Sequence, residues 1–189
     1  QADLANGYTS GTVTLTSITG SFSDISTVQG TSGINIATAD ITQESKSTAV
    51  SLANANTLNG FTTGQVTLES VQDTYDNLIS IDAITSSEVS MAAAAVTVTD
   101  TVNNAKVDAL NLDTTGVVTV QDLADTFAEV KAIDDIADTE VDISAAKITI
   151  TDSTSIANIK AADAMTTGTF VYTSVTDIFA NLDADQALL

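Results

Sequence analysis

Acidic side chains are the candidates for metal binding in this chain. Asp134, Asp135 and Asp138 lie close together, and Glu140 follows them. Ca²⁺ binds about six to eight oxygen ligands, mostly from carboxylates, carbonyls and water. The cluster lacks the spacing of an EF-hand. It is also not repeated, because Ala83 stands one repeat period before Asp135. Two interpretations therefore stay open: a Ca²⁺ site at Asp134, Asp135 and Asp138, or a solvated acidic loop.

Other reactive side chains are scarce. The sequence has no cysteine and no histidine, which excludes thiolate nucleophiles, disulfides and imidazole as a base or zinc ligand. A glycosidase needs only a pair of carboxylates, but no acid pair stands in an unusual setting. No arginine or aromatic platform for a sugar is evident either. The sequence predicts a protein that is not an enzyme and needs no cofactor, with Ca²⁺ as the one exception considered.

The charge balance limits the partners. Acidic residues number 25 and basic residues 5, which gives a net charge of −20 in 189 residues. A surface this negative repels phosphate groups, so nucleic acid and anionic membrane surfaces are poor partners. A hydrophobic content of 43% is nevertheless too high for a disordered chain.

An internal repeat organises the sequence. Four related phrases begin at Ser10, Thr63, Thr115 and Thr167, at intervals of 52 or 53 residues. Each carries a glycine, and the column reads Gly11, Gly64, Gly116 and Gly168. A fixed period of this length is typical of stacked-repeat architectures. We predict one repeat domain over residues 1–189, with a partial repeat at 1–10 and repeats starting near 11, 64, 116 and 168.

Each period contains two strand–helix modules, here called leading and trailing. The leading strands alternate apolar and polar residues, as in Val118-Thr119-Val120, and the trailing strands do so in Ile148-Thr149-Ile150. Short apolar stretches at 34–36, 89–91 and 141–143 suggest an extra strand between the modules. The Thr-Thr-Gly turns that precede the leading strands are expected to end a helix on a left-handed glycine.

The leading helices are predicted from a cap column and an aromatic column. Ser70, Asp122 and Ser174 are expected to be N-caps, with an acid three residues on at the positive end of the helix dipole. The aromatic column falls at helical spacing behind the caps and is predicted to form a stacked core. Its members are Phe22, Tyr75, Phe127 and Phe179.

Tandem strand–helix modules of about 20–30 residues indicate an α/β solenoid. We expect a right-handed solenoid with a single parallel sheet and one layer of helices. The outer sheet face then carries threonines, including Thr97, Thr99, Thr149 and Thr151. The preference of threonine for β-strands explains such residues on an exposed face. Ice binding through a regular threonine array is the alternative.

The ends of the chain resemble interior positions. Residues 2–6 align with residues 107–111, within a trailing helix. We expect either a slice of a longer array or open ends covered by neighbouring subunits, since solenoids that end alone need polar caps.

The phrases VTVTDTVNNAKVDAL, ITITDSTSIANIKAADAMTTG and TDIFANLDADQ resemble the tandem repeats of very large secreted surface proteins of cyanobacteria and proteobacteria, of the adhesin and S-layer kind. The resemblance covers nearly the whole chain and implies an extracellular structural module of a surface layer, adhesin stalk or filament. Separately, no run of 18 apolar residues is present, so we expect no insertion into a bilayer. Exposed edge strands at each end of the solenoid predict association with itself or with adjacent repeats end to end. A Ca²⁺- or polysaccharide-binding solenoid is the runner-up, and a phage-fibre component is a further alternative.

Overall fold

The computed structural model of the protein describes residues 6–44, 48–84, 88–137, 139–178 and 181. The chain divides into two compact units. Compact unit 1 comprises residues 1–96 with 113–116, and compact unit 2 comprises residues 97–112 with 117–189. The fold is a mixed α/β arrangement with parallel sheets, and six helices lie in the described part of the chain.

Compact unit 1 contains three helices and seven complete strands among its described residues. The helices are α1 (Phe22–Gly30), α2 (Leu52–Phe61) and α3 (Tyr75–Asp82). The strands are β1 (Val13–Thr14), β2 (Ser17–Gly20), β3 (Ile34–Asn35), β4 (Asp40–Gln43), β5 (Val66–Leu68), β6 (Ser70–Asp73) and β7 (Val89–Ser90). Strands β2, β4, β5 and β7 form a parallel sheet in that order, and β1 pairs in parallel with β3.

Compact unit 2 repeats this pattern with longer strands. Its strands are β8 (Ala95–Val102, from Thr97 onward in this unit), β9 (Val118–Asp125), β10 (Val141–Asp142), β11 (Lys147–Thr154) and β12 (Phe170–Val175). Its helices are α4 (Asn104–Asp113, to Leu112 in this unit), α5 (Phe127–Asp134) and α6 (Ile156–Asp163). Strand β9 pairs in parallel with β10 along its first half and with β11 along its second half, and β11 pairs with β12.

The extra strands between the modules are confirmed as β3, β7 and β10. Each is only two residues long, and each pairs with the first half of the leading strand that precedes it. The trailing strand then takes the second half, as Leu123 opposite Ile148 illustrates. Two successive segments therefore share one leading strand, which explains why a short strand recurs in every period.

One apolar layer lies between each sheet and its helices. Val118, Val120, Ile148 and Ile150 are at most 2% exposed, whereas Thr119 and Thr149 on the opposite face are half-buried. The alternation follows from the two-residue period of a strand, which sends successive side chains to opposite faces. Most helices contribute buried residues at helical spacing, such as Val130 and Ile133 in α5.

The predicted N-caps of the leading helices are wrong. Ser70, Asp122 and Ser174 lie inside strands β6, β9 and β12. Where the structure describes their starts, the leading helices begin one residue after Ser21, Thr74 and Thr126. The strands continue through the positions read as helix starts because Val71 and Leu123 are buried there, and Val71 pairs with Val50.

The aromatic column is not part of the fully buried core. Phe22, Tyr75 and Phe127 are the first residues of α1, α3 and α5 and are half-buried. The shift in the helix start explains the error, because it moves the buried stripe to residues such as Leu78 and Ile81. Phe179 lies outside the described residues.

The glycines of the Thr-Thr-Gly turns are required for a close approach and not for a left-handed conformation. Among the described residues only Gly33 has a positive φ. A Cβ on Gly64, Gly116 or Gly168 would overlap the carbonyl oxygen of Ala39, Ala94 or Ala146, respectively. The expectation of a left-handed glycine is therefore wrong at these turns.

We predict that Gly116→Ala lowers the free energy of unfolding by more than about 2 kcal/mol, because the new methyl group must displace backbone and not a flexible side chain. Urea denaturation followed by circular dichroism measures the change. Gly60→Ala is the matched control: Gly60 lies in α2 with nothing within 4 Å of its Cβ position, so alanine should stabilise the protein by about 0.5–1 kcal/mol. Equal effects of the two substitutions would contradict the prediction.

Candidate functional site

The acidic segment predicted to bind Ca²⁺ begins at the end of α5. Asp134 is the last residue of that helix, and Asp135 is its C-cap. Asp135 forms an ion pair with Lys131 one turn earlier, and this hydrogen bond raises the pKa of Lys131. Asp138 lies outside the described residues. Across the described ranges, no group of three or more acidic side chains is placed to share a metal ion, and the Ca²⁺ site stays a prediction.

The most regular polar feature is a hydrogen-bonded clasp at each Thr-Thr-Gly turn. In the turn before β5, the Thr62 hydroxyl donates to the carbonyl oxygen of Ala39 at 2.6 Å, and the Thr63 hydroxyl donates to that of Ala37 at 3.1 Å. The Gly64 amide in turn donates to the Thr62 hydroxyl at 2.8 Å. We call this arrangement the threonine clasp.

The threonine clasp recurs with the same geometry in both compact units. Thr114 and Thr166 donate to the carbonyls of Ala94 and Ala146 at 2.7 and 2.6 Å. The second threonines donate likewise, Thr115 to Ala92 at 3.1 Å and Thr167 to Ser144 at 2.9 Å. Each clasp joins residues 20 to 26 positions apart, so it ties the start of a leading strand to the segment before the preceding trailing strand.

A second recurrent feature joins the ends of three leading strands to the trailing helices that precede them. Asp73 accepts a hydrogen bond from the amide of Leu52, the first residue of α2, at 3.0 Å. Asp125 accepts one from Asn104, the first residue of α4, at 2.9 Å. Asp177 accepts one from Ile156, the first residue of α6, at 3.1 Å. We call these three side chains the strand-end aspartates.

Each strand-end aspartate uses its other oxygen locally. That oxygen accepts from the next backbone amide, which belongs to Thr74, Thr126 or Ile178, at 2.8 to 2.9 Å. A carboxylate that accepts several amide hydrogens at a helix start is stabilised in its charged form by hydrogen bonding and by the helix dipole. A trailing strand of compact unit 2 shows the same behaviour, because Asp152 of β11 accepts from the amide of Phe127, the first residue of α5, at 3.0 Å.

The pKa values reflect these contacts. Burial raises the pKa of Asp73, but hydrogen bonds from the Asn77 side chain and two backbone amides outweigh burial and hold the pKa below its ordinary value. The hydrogen bond from Asn181, followed by those from two backbone amides, lowers the pKa of Asp177. Asp113 behaves in the opposite way, because burial and the nearby charge of Asp82 raise its pKa.

Sequence reasoning placed the strand-end aspartates in the first turn of their own helices. They instead cap the helix of the preceding module, 21 residues earlier. The signal that could have revealed this was their constant residue type: the column Asp73, Asp125 and Asp177 is aspartate throughout, whereas the cap column at the same spacing reads Ser70, Asp122 and Ser174.

Three threonines and one serine form an aligned row on the outer face of compact unit 1. Thr19, Thr42, Thr67 and Ser90 are direct partners across β2, β4, β5 and β7. In compact unit 2 the row is interrupted, because Thr149 lies between Ala124 and Val171. Neighbouring strands are about 4.8 Å apart, so four hydroxyl groups follow one another at that spacing. Ice binding through Thr97, Thr99, Thr149 and Thr151 stays a prediction.

Comparisons of the chain with protein-family models, with curated proteins and with solved structures gave no match. Among the described helices, none combines the length and the apolar character that crossing a bilayer requires.

We predict a pH-dependent effect of Asp73→Asn. Because the folded pKa of Asp73 is depressed, its contribution is complete above the unfolded value near 3.9 and is lost as the pH falls through the lower folded value. The variant should therefore be less stable by about 1 kcal/mol at pH 7, and the difference should shrink below about pH 4. Urea denaturation between pH 3 and pH 7 measures it.

Asp113→Asn is the matched control for this prediction, with the opposite sign. The folded pKa of Asp113 is raised, so its charge costs stability at neutral pH and the cost disappears below the unfolded pKa. The variant should gain stability at pH 7 and match the wild type in acid. A constant difference across the pH range for Asp73→Asn would contradict the role assigned to its carboxylate.

Proposed function

We propose that the chain is a structural repeat module, a right-handed α/β solenoid that serves in an extracellular surface layer, adhesin stalk or filament and catalyses no reaction. The observation that carries this proposal is the recurrence of the same two ties in successive modules. The residues that repeat most strictly, the clasp threonines, their glycines and the strand-end aspartates, all connect one module to another.

The solenoid is supported by the register within each compact unit. In compact unit 1, Ile41 pairs with Val66 across β4 and β5. In compact unit 2, Ile148 pairs with Phe170 across β11 and β12. These pairs are equivalent by the repeat, so the same step from a trailing strand to the next leading strand occurs in both units. When every trailing strand pairs with the next leading strand in the same register, the modules form a stacked array.

A structural role agrees with how the polar groups are used. Thr62 and Thr114 are at most 8% exposed, and their hydroxyls bind the carbonyls of the neighbouring module. Hydrogen bonds between buried partners oppose the separation of modules, because breaking them leaves polar groups without water. Such a module resists bending through contacts between neighbours, as a stalk or layer component requires.

We predict that the array accepts an additional period. A second copy of residues 116–167 inserted directly after Thr167 restores the Thr-Gly junction on both sides. If the modules stack, the enlarged protein should unfold in one transition, keep its mean residue ellipticity and gain thermal stability, because each module contributes a further interface. Circular dichroism melting and analytical ultracentrifugation measure these properties.

The control insertion consists of residues 116–162, which omits Thr166 and Thr167 and falls out of period. It should lower the melting temperature, since β12, the leading strand that follows the insertion, is then preceded by Ala161-Ala162 and cannot form its clasp. Equal destabilisation by the two insertions would indicate that the chain closes as a globule and would contradict the solenoid.

The extracellular placement has its own test. Antibodies raised against the chain should decorate the surface of intact producing cells in immunogold electron microscopy. Permeabilised cells serve as the control for interior labelling. Label confined to the cell interior would contradict the assignment to a surface layer, stalk or filament.

A further inference from the structure

The outer edge of β2 in compact unit 1 has an apolar surface that equivalent strands keep covered. Within the described ranges, β2 is the last strand of its sheet and pairs only with β4. The leading strand that contains it carries Val13, Leu15 and Ile18 toward the helix layer, and all three are half-buried. Their equivalents in the next period, Val66, Leu68 and Val71, are at most 1% exposed.

The covering element in the next period is a trailing strand. Val66 and Leu68 lie beside Ile41 and Gln43 of β4, and Val71 bridges to Val50. In compact unit 2, β11 covers β12 in the same way, with Ile148 beside Phe170 and Thr154 beside Val175. A leading strand is therefore followed in space by one kind of partner on this side: a parallel trailing strand with apolar residues at alternate positions.

The edge of β2 also opens into a cleft of about 410 Å³. Leu15, Ile18 and Val28 supply its apolar wall, and Asp24 supplies a carboxylate. Gly20 stands at the position that the strand-end aspartates take in the other leading strands. The Asp24 Oδ2 atom lies 3.8 Å from where a Cβ on Gly20 would be, so Asp24 presents a carboxylate close to the place of the missing side chain.

We propose that the open edge of β1 and β2 is an interaction surface for a trailing strand of a neighbouring repeat unit, added in parallel to complete the sheet. In the register of β11 on β12, Ile148 of such a strand lies beside Val13, Ile150 beside Leu15 and Thr154 beside Ile18. Backbone hydrogen bonds along the edge supply affinity, and the alternate apolar side chains supply specificity.

The edge strand β12 of a second copy is a poorer occupant. β12 is a leading strand, and no leading strand of the described chain pairs directly with another in either compact unit. Its apolar positions carry Phe170 and Tyr172, whose rings lie 6.1 Å apart and are larger than the isoleucines of β11. The alternation of leading and trailing strands therefore favours a trailing strand at the open edge.

This inference rests on the proposed solenoid, because it extends the same step by one strand. The test uses the full chain and a fluorescein-labelled peptide of residues 146–155, which contains β11. Fluorescence anisotropy should show saturable binding, and Ile18→Lys should weaken it at least tenfold. Hydrogen exchange should slow at the amides of Thr16 and Thr19, on the edge strand, when the peptide is bound.

Two controls separate edge binding from general effects. Val171→Lys places the same charge on β12, at a side chain that is 39% exposed, and should bind the peptide as the wild type does. A peptide with aspartate in place of Ile148 and Ile150 should not bind. Circular dichroism of both chain variants verifies that they are folded.

Three outcomes would overturn the proposal. The first is no saturable binding up to about 1 mM peptide, the weak limit of a specific complex. The second is equal binding by the Ile18→Lys and Val171→Lys variants. The third is concentration-dependent self-association that Phe170→Lys abolishes and the peptide does not inhibit, which would assign the edge to a second copy. None of these results affects the duplication experiment, which therefore tests the solenoid independently of the edge interaction.

Discussion

The approach of one backbone to another at the Thr-Thr-Gly turn is the constraint on which the rest depends. At Gly64, Gly116 and Gly168 the chain passes so close to a carbonyl of the preceding module that no side chain fits. Because the backbones are this near, the hydroxyl of the first threonine of the turn can donate a hydrogen bond to the same carbonyl. That distance sets the position of the strand that follows, and therefore its register and its buried face.

The strand-end aspartates fix the helix layer in relation to the strands. A helix start leaves amide hydrogens without partners, and here the partner comes from the strand of the next module and not only from the helix's own cap residue. Ser155 caps α6 locally, while Asp177 supplies an additional acceptor to its first amide. Each trailing helix is thus held from two directions, and helix and sheet cannot shift independently.

Much of this architecture could be predicted from the sequence, and the misplaced starts of the leading helices have one origin. The period, the alternating strands, the trailing helices and the short extra strands all follow from local patterns. The leading helices were placed four residues early because a serine or aspartate at position 70 or 122 satisfies a cap rule. Continuation of the strand through Val71 depends on its pairing with Val50, a contact between distant residues that no local pattern encodes. The role of Asp73 was hidden for the same reason.

The aspartate contacts run in a single direction along the chain. Leu52, Asn104 and Ile156 each receive a carboxylate from a residue 21 positions later. On a ribosome, the amide that begins such a helix therefore emerges well before its acceptor has been made. Completion of these three helix starts must then lag behind translation by 21 residues, and a nascent chain that stops between such a helix and its aspartate leaves the first amide without this acceptor.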